Sequence, residues 1–93
     1  MQNSRFVKNY VNYPSLIKVV PKQNYFIEAT FSDGVIKQVD IKPYFRWEVF
    51  KPLKNIDLFN KAHAKNGGVV WNDKIDLAQE ALYTNGITVT CND

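Results

Sequence analysis

Alternating apolar and polar side chains predict a β-hairpin in the first half of the chain. Residues 24–31 and 35–41 form two period-two runs, rich in aromatic and β-branched residues, on either side of the loop 32–34. A three-residue loop with Gly34 in the left-handed region makes one face apolar apart from Lys37, whereas a two-residue turn mixes the faces. The cross-strand pairs expected are Phe31 with Val35, Ala29 with Lys37, Ile27 with Val39 and Tyr25 with Ile41.

Three further strands are predicted outside the hairpin. Residues 16–20 are bounded by Pro14 and Pro21, which mark strand ends because proline cannot donate to a ladder. The connection to the hairpin is too short for a crossover, so we expect antiparallel pairing. Later strands are expected at 67–71 and 87–91. Alternation in the strand at 16–20 would place Leu16, Lys18 and Val20 on one face and Ile17 and Val19 on the other.

Two short helices are predicted between the later strands. Asp57 is a candidate N-cap for residues 58–63, and Asp76 begins a capping-box-like start for residues 77–84, with Gly86 as the stop. Helices this short are unstable alone, so we expect them to pack on the sheet. The sequence therefore predicts a small two-layer α+β domain, with a mainly antiparallel sheet of four or five strands and two short helices.

Size and composition narrow the class of protein. The chain has 93 residues, enough for a single domain, which we divide into an N-terminal extension (1–14) and a core (15–86). Hydrophobic residues make up 45% and charged residues 23%, which is typical of a packed domain. The net charge of +3 does not by itself indicate a nucleic-acid or membrane partner. Neither a signal peptide nor a membrane-helix pattern is present, so we expect a cytosolic (cytoplasmic) protein with no membrane partner.

Candidate chemical groups are few. One cysteine, Cys91, and one histidine, His63, exclude an internal disulfide and a Cys/His zinc cluster, and we expect no cofactor or metal. We interpret His63 as a helix-end residue rather than a general acid or base. Ser32 is accounted for by its turn, and Asp73 and Asp76 by turn and cap roles rather than a metal loop. We therefore predict no catalytic residue.

The most unusual stretch is residues 42–54, which we call the aromatic–basic segment. It holds four aromatic residues between positions 44 and 50, beside four basic ones. Three interpretations are open: Phe45, Val49 and Phe50 cover the open end of the sheet, the segment is a protein interface, or it stacks and neutralises single-stranded nucleic acid. The candidate partner-binding residues are Tyr44, Arg46, Trp47, Lys51 and Lys54.

Several motifs occur in a fixed order along the chain. They are Phe31-Ser32-Asp33-Gly34, Val39-Asp40-Ile41, Phe50 with Pro52-Leu53, Leu58-Phe59, Val70-Trp71, Asp76-Leu77-Ala78 and Leu82-Tyr83. Together they resemble the prokaryotic domain of unknown function family numbered 2442, over roughly residues 16–86. The resemblance implies a small two-layer α+β domain, stand-alone or joined to a helix-turn-helix, and some members resemble one half of a toxin–antitoxin gene pair. It implies no catalytic residue. We expect Trp71 and Tyr83, at motif positions, to lie in the core.

These observations predict a non-enzymatic protein-binding or regulatory module. One form of this role is the antitoxin-like partner of a neighbouring gene's product. Exposed sheet edges offer a second way to bind a partner, because a strand of another protein, or of a second copy of this chain in a homodimer, can pair with them. The alternative is a nucleic-acid-associated regulator that uses the aromatic–basic segment and a basic N-terminus. Because the chain ends at Asp93, we expect no helix-turn-helix. The basic residues before position 23 are Arg5, Lys8, Lys18 and Lys22.

Overall fold

The computed structural model describes residues 13–89. The strands within this range are β1 (Leu16–Pro21), β2 (Phe26–Phe31), β3 (Ile36–Asp40), β4 (His63–Lys65), β5 (Gly68–Asn72), β6 (Ile75–Leu77) and β7 (Ile87–Thr88). The helices are α1 (Ile56–Phe59), α2 (Gln79–Asn85) and the 3₁₀ helices Gln23–Tyr25, Lys42–Arg46 and Glu48–Lys54.

Two antiparallel sheets contain the described strands, one in the order β1-β2-β3-β7 and the other in the order β4-β5-β6. The α+β class predicted from the sequence is confirmed. The described strands are divided between two sheets rather than gathered in one, since β4 and β6 pair with β5 and not with a strand of the first sheet.

The predicted hairpin register is confirmed. Ile27 lies across from Val39 and Ala29 across from Lys37, and the Phe31 N–H donates to the Val35 carbonyl at 2.9 Å. Gly34 has φ +90°, the left-handed conformation that the three-residue loop requires. Lys37, the exception on the apolar face, extends its ammonium over the Tyr83 ring, 4.5 Å from the ring centroid.

The predicted pairing of β1 with β2 is confirmed, but the strict alternation of β1 is wrong. The register shifts between Leu16 and Lys18, which is the effect of a β-bulge. Leu16 and Val19 therefore both pack on the core, while Ile17 is 60% exposed. A local irregularity of this kind changes which side chains share a face, and the hydrophobic pattern alone does not reveal it.

The second sheet depends on two tight turns. Asn66 and Gly67 both have positive φ and connect β4 to β5, which is the strand predicted at 67–71. The Asn72 side chain accepts the backbone N–H groups of Lys74 and Ile75, at 2.9 and 3.0 Å, and so closes the turn to β6. The Leu16 N–H donates to the Gly67 carbonyl at 2.9 Å, which ties this sheet to β1.

The predicted boundaries of the first helix are wrong. Asn55, not Asp57, is the N-cap, because its side chain accepts the Asp57 N–H at 2.9 Å. The helix ends at Phe59, and His63 begins β4 instead of closing a helix.

The second predicted helix begins later than expected. Asp76 lies in β6 across from Val70, and α2 has Ala78 at its N-cap with no side-chain capping bond. Gly86 ends the helix as predicted, although its φ is −82°. A Cβ at this glycine would lie 2.8 Å from the Leu82 carbonyl oxygen, so close packing, and not a left-handed conformation, requires glycine here.

The core joins both sheets and both α-helices. Trp71 is 2% exposed, and its Nε1 donates to the Phe59 carbonyl at 3.2 Å, so burial leaves its polar atom satisfied. The buried hydrophobic residues within the described range are Leu16, Ile27, Ala29, Phe31, Val39, Ile41, Leu53, Phe59, Ala62, Val69, Trp71, Ile75 and Leu82.

Candidate functional site

The aromatic–basic segment consists of two consecutive 3₁₀ helices separated by an extended Trp47. Its backbone bonds span three residues: the Trp47 N–H donates to the Tyr44 carbonyl at 3.1 Å, and the Phe50 N–H donates to the Trp47 carbonyl at 3.0 Å. Pro43 and Pro52 supply no N–H, which disfavours a continuous α-helix. The result is a compact but irregular segment after β3.

One side of the segment is anchored in the domain. Leu53 is fully buried, and the Phe45 ring meets Tyr25 edge to face with centroids 5.1 Å apart. The Tyr25 hydroxyl donates to the carbonyl of Lys54, and its ring also packs on Phe59. Tyr25 has φ +62°, a conformation that is rare for a bulky residue and that these contacts hold in place. Tyr25 therefore fastens the segment to the start of β2.

The other side of the segment faces solvent around Trp47. The Trp47 side chain is 50% exposed, and Val49 beside it is 48% exposed. The Arg46 guanidinium carbon lies 5.1 Å from the centroid of the Trp47 ring, and the Tyr44 ring lies 5.9 Å away at 44°. The interpretation that the segment covers the sheet therefore applies to Phe45 and Phe50, which are half-buried against the core. It does not apply to Val49 or to Trp47, which are exposed.

A groove of about 390 Å³ opens beside Trp47. The Asn85 Nδ2 donates to the Tyr44 hydroxyl at 3.0 Å, which joins the end of α2 to the segment. Asp40, Pro43 and Asn85 were not among the candidate residues. Asp40 and Pro43 lie within four positions of Tyr44 in the sequence, which could have pointed to them. Asn85 has no such signal, because 41 residues separate it from its partner Tyr44. The residues lining the groove are Asp40, Pro43, Tyr44, Arg46, Trp47 and Asn85.

Charges around the groove are unequally compensated. Lys42 Nζ lies 3.0 Å from an Asp40 carboxylate oxygen, and Lys51 Nζ lies 3.1 Å from Glu48. Within residues 13–89, Arg46 has no carboxylate at salt-bridge distance, and Arg46 instead stacks on Trp47. Among the described residues, the groove therefore carries one cation without a carboxylate partner, next to its most exposed aromatic ring.

A wider groove of about 710 Å³ lies on the opposite side of the first sheet from the core. Glu28 and Gln38, paired across β2 and β3, form part of its floor. Phe26 is its one aromatic lining residue, and the Lys42 ammonium already covers that ring at 4.6 Å. We therefore place the candidate site at the groove beside Trp47, where an aromatic ring is exposed.

The chain matches a family model along the span that contains these elements. The model, described as Protein of unknown function (DUF2442), matches residues 16–88, which is most of the chain. The chain belongs to this family. Neither the curated proteins nor the solved structures gave a match to it.

Two pairs of sequence motifs meet in this DUF2442 domain, and both have structural roles. The Tyr83 hydroxyl donates to an Asp33 carboxylate oxygen at 2.7 Å, although 50 residues separate them. The backbone N–H of Val35 and then the Tyr83 hydroxyl lower the pKa of Asp33, and the bond to Asp33 raises the pKa of Tyr83. Trp71 bonds the Phe59 carbonyl, as described above. Trp71 is buried as predicted, whereas Tyr83 is half-buried with its ring 5.0 Å from Phe31.

The other candidate residues of the DUF2442 domain are separated from the groove lining. His63 is exposed on β4, with Nδ1 2.9 Å from the Lys61 carbonyl oxygen. Ser32 Oγ accepts the Ser15 N–H at 3.1 Å, and Asp73 lies in the exposed turn after β5. No group of three or more His, Cys, Asp or Glu side chains that could hold a metal occurs in the part of the chain that the structure describes.

The remaining residues singled out in the sequence lie near the two ends of the chain. Lys18 and Lys22 are exposed on and after β1. Arg5, Lys8 and Cys91 lie outside the described residues, as does the end of the predicted strand at 87–91. Among residues 13–89, no helix has the length and apolar character needed to cross a bilayer.

Proposed function

We propose that this DUF2442 domain is a cytosolic, non-catalytic module that binds and regulates another protein, the product of a neighbouring gene, through the groove beside Trp47. The observation that carries the proposal is a half-exposed Trp47 with Arg46 stacked over its ring. Tryptophan and arginine are enriched among the residues that dominate binding energy at protein interfaces.

Contacts among the side chains of the groove support this proposal. Tyr44 and Arg46 both contact Trp47, and Asn85 bonds the Tyr44 hydroxyl. Leu53, fully buried, holds the segment against the core. A partner would then dock on side chains that already contact one another, and such preorganisation lowers the conformational entropy lost on binding.

Nucleic-acid binding is the second candidate function. The stack of Arg46 on Trp47 favours it, because single-stranded nucleic acid is bound by aromatic faces and cations together. The pairing of Lys42 with Asp40 and of Lys51 with Glu48 counts against it, because neutralised lysines contribute less to phosphate binding. Two of the four basic side chains of the segment are paired in this way, so we rank nucleic acid below a protein partner.

A binding assay with the purified product of the neighbouring gene tests the first proposal. Trp47→Ala should weaken the complex by at least about tenfold, in line with an interface hot spot. Val49→Ala is the matched control, because Val49 has nearly the same exposure but does not line the groove. Failure to form any complex, or equal losses in the two variants, would contradict the proposal.

Titration with single- and double-stranded DNA at low and high salt tests the second candidate. Phosphate binding predicts an affinity that falls steeply as salt rises. The protein-binding proposal predicts no such complex. A salt-dependent DNA complex that Trp47→Ala removes would replace the protein-binding proposal with the nucleic-acid one.

A further inference from the structure

We infer that the partner presents an extended acidic peptide to the groove, with one carboxylate on Arg46 and one bulky apolar side chain against Tyr44 and Trp47. This inference rests on the proposed function and specifies the chemistry of the partner at the same groove. It follows from three properties of the groove: its charge, its apolar wall and its unused hydrogen-bonding groups.

The charge of the groove selects an anion. Asp40 lines it, but an oxygen of that carboxylate accepts both the Lys42 backbone N–H and the Lys42 ammonium, each at 3.0 Å. Arg46 has no carboxylate partner within residues 13–89. A guanidinium offers a planar fork of N–H donors that fits a carboxylate with two hydrogen bonds. The uncompensated Arg46 therefore calls for an acidic group in the partner.

The wall of the groove selects an apolar side chain. The Tyr44 and Trp47 rings are tilted by 44° with centroids 5.9 Å apart, and Pro43 also lines the groove. The volume of about 390 Å³ lies at the small end of the range for ligand pockets. It suits one or two side chains and not a folded domain. A leucine or phenylalanine beside the acidic residue of the peptide would pack against these rings.

Two polar groups suit the backbone of an extended peptide. Trp47 Nε1 has no acceptor within residues 13–89, and Asn85 uses its Nδ2 but not its Oδ1 in the bond to Tyr44. One is a donor and the other an acceptor, so together they match a peptide C=O and N–H. Peptide recognition commonly combines backbone hydrogen bonds with pockets for selected side chains.

Binding of labelled peptides to the full chain, followed by fluorescence anisotropy, tests this inference. The probe is a nine-residue peptide that contains only glutamate, leucine and phenylalanine. One control peptide has lysine at every glutamate, and a second has serine at every apolar position. The probe should bind at least about tenfold more tightly than either control, because each control lacks one half of the required chemistry.

Variants of the protein test whether Arg46 binds the carboxylate of the peptide. Arg46→Gln should lower the affinity for the probe by about tenfold or more. Arg46→Lys should retain part of the affinity, because lysine keeps the positive charge but lacks the planar fork of N–H donors. Lys74→Gln is the matched control, since it removes one positive charge from an exposed turn between β5 and β6 that lies outside the groove lining. Thermal unfolding of each variant confirms that the fold is retained.

The inference is overturned by no binding of the probe, by equal binding of probe and lysine peptide, or by equal losses from Arg46→Gln and Lys74→Gln. Tighter binding of an unlabelled single-stranded oligonucleotide in competition would overturn it too. If the probe fails while the complex with the neighbouring gene's product still depends on Trp47, this inference alone is wrong. If no Trp47-dependent complex forms at all, the proposed function is wrong.

Discussion

The two tryptophans of the chain occupy opposite kinds of environment. Trp71 on β5 is 2% exposed, with its indole N–H bonded to the Phe59 carbonyl. Trp47, between two 3₁₀ helices, is 50% exposed and stacked under Arg46. The same residue type therefore serves packing in the region around the sheets and is left at the surface in the aromatic–basic segment.

This contrast shows how a small domain divides its aromatic residues. The aromatic–basic segment contributes Leu53, Phe45 and Phe50 to the interior or its margin, and this anchoring holds the backbone that carries Trp47 outward. A large ring left half in water gives up burial energy of roughly 25 cal/mol per Å² of apolar surface. We account for that cost by binding, and the following predictions test the separation between folding and binding roles.

Replacement of the two tryptophans should give the largest difference. Trp71→Ala should lower the free energy of unfolding by about 3 to 5 kcal/mol, because it leaves a cavity in the core. Trp47→Ala should lower it by less than about 1 kcal/mol, since the ring is half in solvent. Chemical denaturation of both variants measures the difference, and similar losses would break the contrast.

Gly34 offers a test that is confined to the sheet region. Gly34→Val should destabilise the domain by roughly 1 to 2 kcal/mol, because the loop needs a positive φ that β-branched residues resist. A Cβ at this position would meet no atom within 4 Å, so the cost is conformational and not a clash. Urea denaturation measures it. Binding of the partner by the folded fraction should be unchanged, and an unchanged stability would show that the loop does not require a positive φ at this position.

Tyr25 links the two regions, and its hydroxyl can be removed alone. Tyr25→Phe should cost about 1 kcal/mol, because the Lys54 carbonyl loses its hydrogen bond while the ring contacts with Phe45 and Phe59 remain. Thermal and chemical unfolding measure the loss. Hydrogen exchange should also increase in the aromatic–basic segment more than in β5. Uniform exchange across both would show that Tyr25 does not fasten the segment.

The Asp33–Tyr83 pair predicts how stability depends on pH. The pKa of Asp33 is lowered, so its contribution is present above the ordinary carboxyl pKa and is lost as pH falls through the lowered value. The pKa of Tyr83 is raised, so its contribution is present below the ordinary phenol pKa and is lost as pH rises through the raised value. Thermal unfolding across pH measures both limbs. Asp33→Asn should flatten the acid limb, whereas Trp47→Ala should leave it unchanged.

Local patterns in the sequence predicted the parts of the fold that depend on neighbouring residues. The hairpin register followed from period-two alternation and the conformation of Gly34. The bulge in β1 and the strand role of Asp76 did not, because pairing with the adjacent strand overrides the local pattern of side chains. His63 was assigned to a helix for the same reason, since β4 exists only by pairing with β5.

Of the five candidate residues predicted from the sequence, Tyr44, Arg46 and Trp47 line the groove, whereas Lys51 and Lys54 do not. Aromatic and basic composition pointed to residues 42–54, but composition does not distinguish the buried edge of Phe45 from the exposed Trp47. That distinction depends on Tyr25, which is distant in sequence. Asn85 joins the groove because α2 packs beside the segment, a tertiary arrangement with no local signal.

Collisional quenching of tryptophan fluorescence tests the central contrast most directly. In Trp71→Phe only Trp47 emits, and in Trp47→Phe only Trp71 emits. We predict strong quenching of Trp47 by iodide, weaker quenching by caesium because Arg46 repels a cation, and little quenching of Trp71 by either. Equal protection of the two tryptophans from iodide would contradict the account, because Trp47 would then be part of the interior.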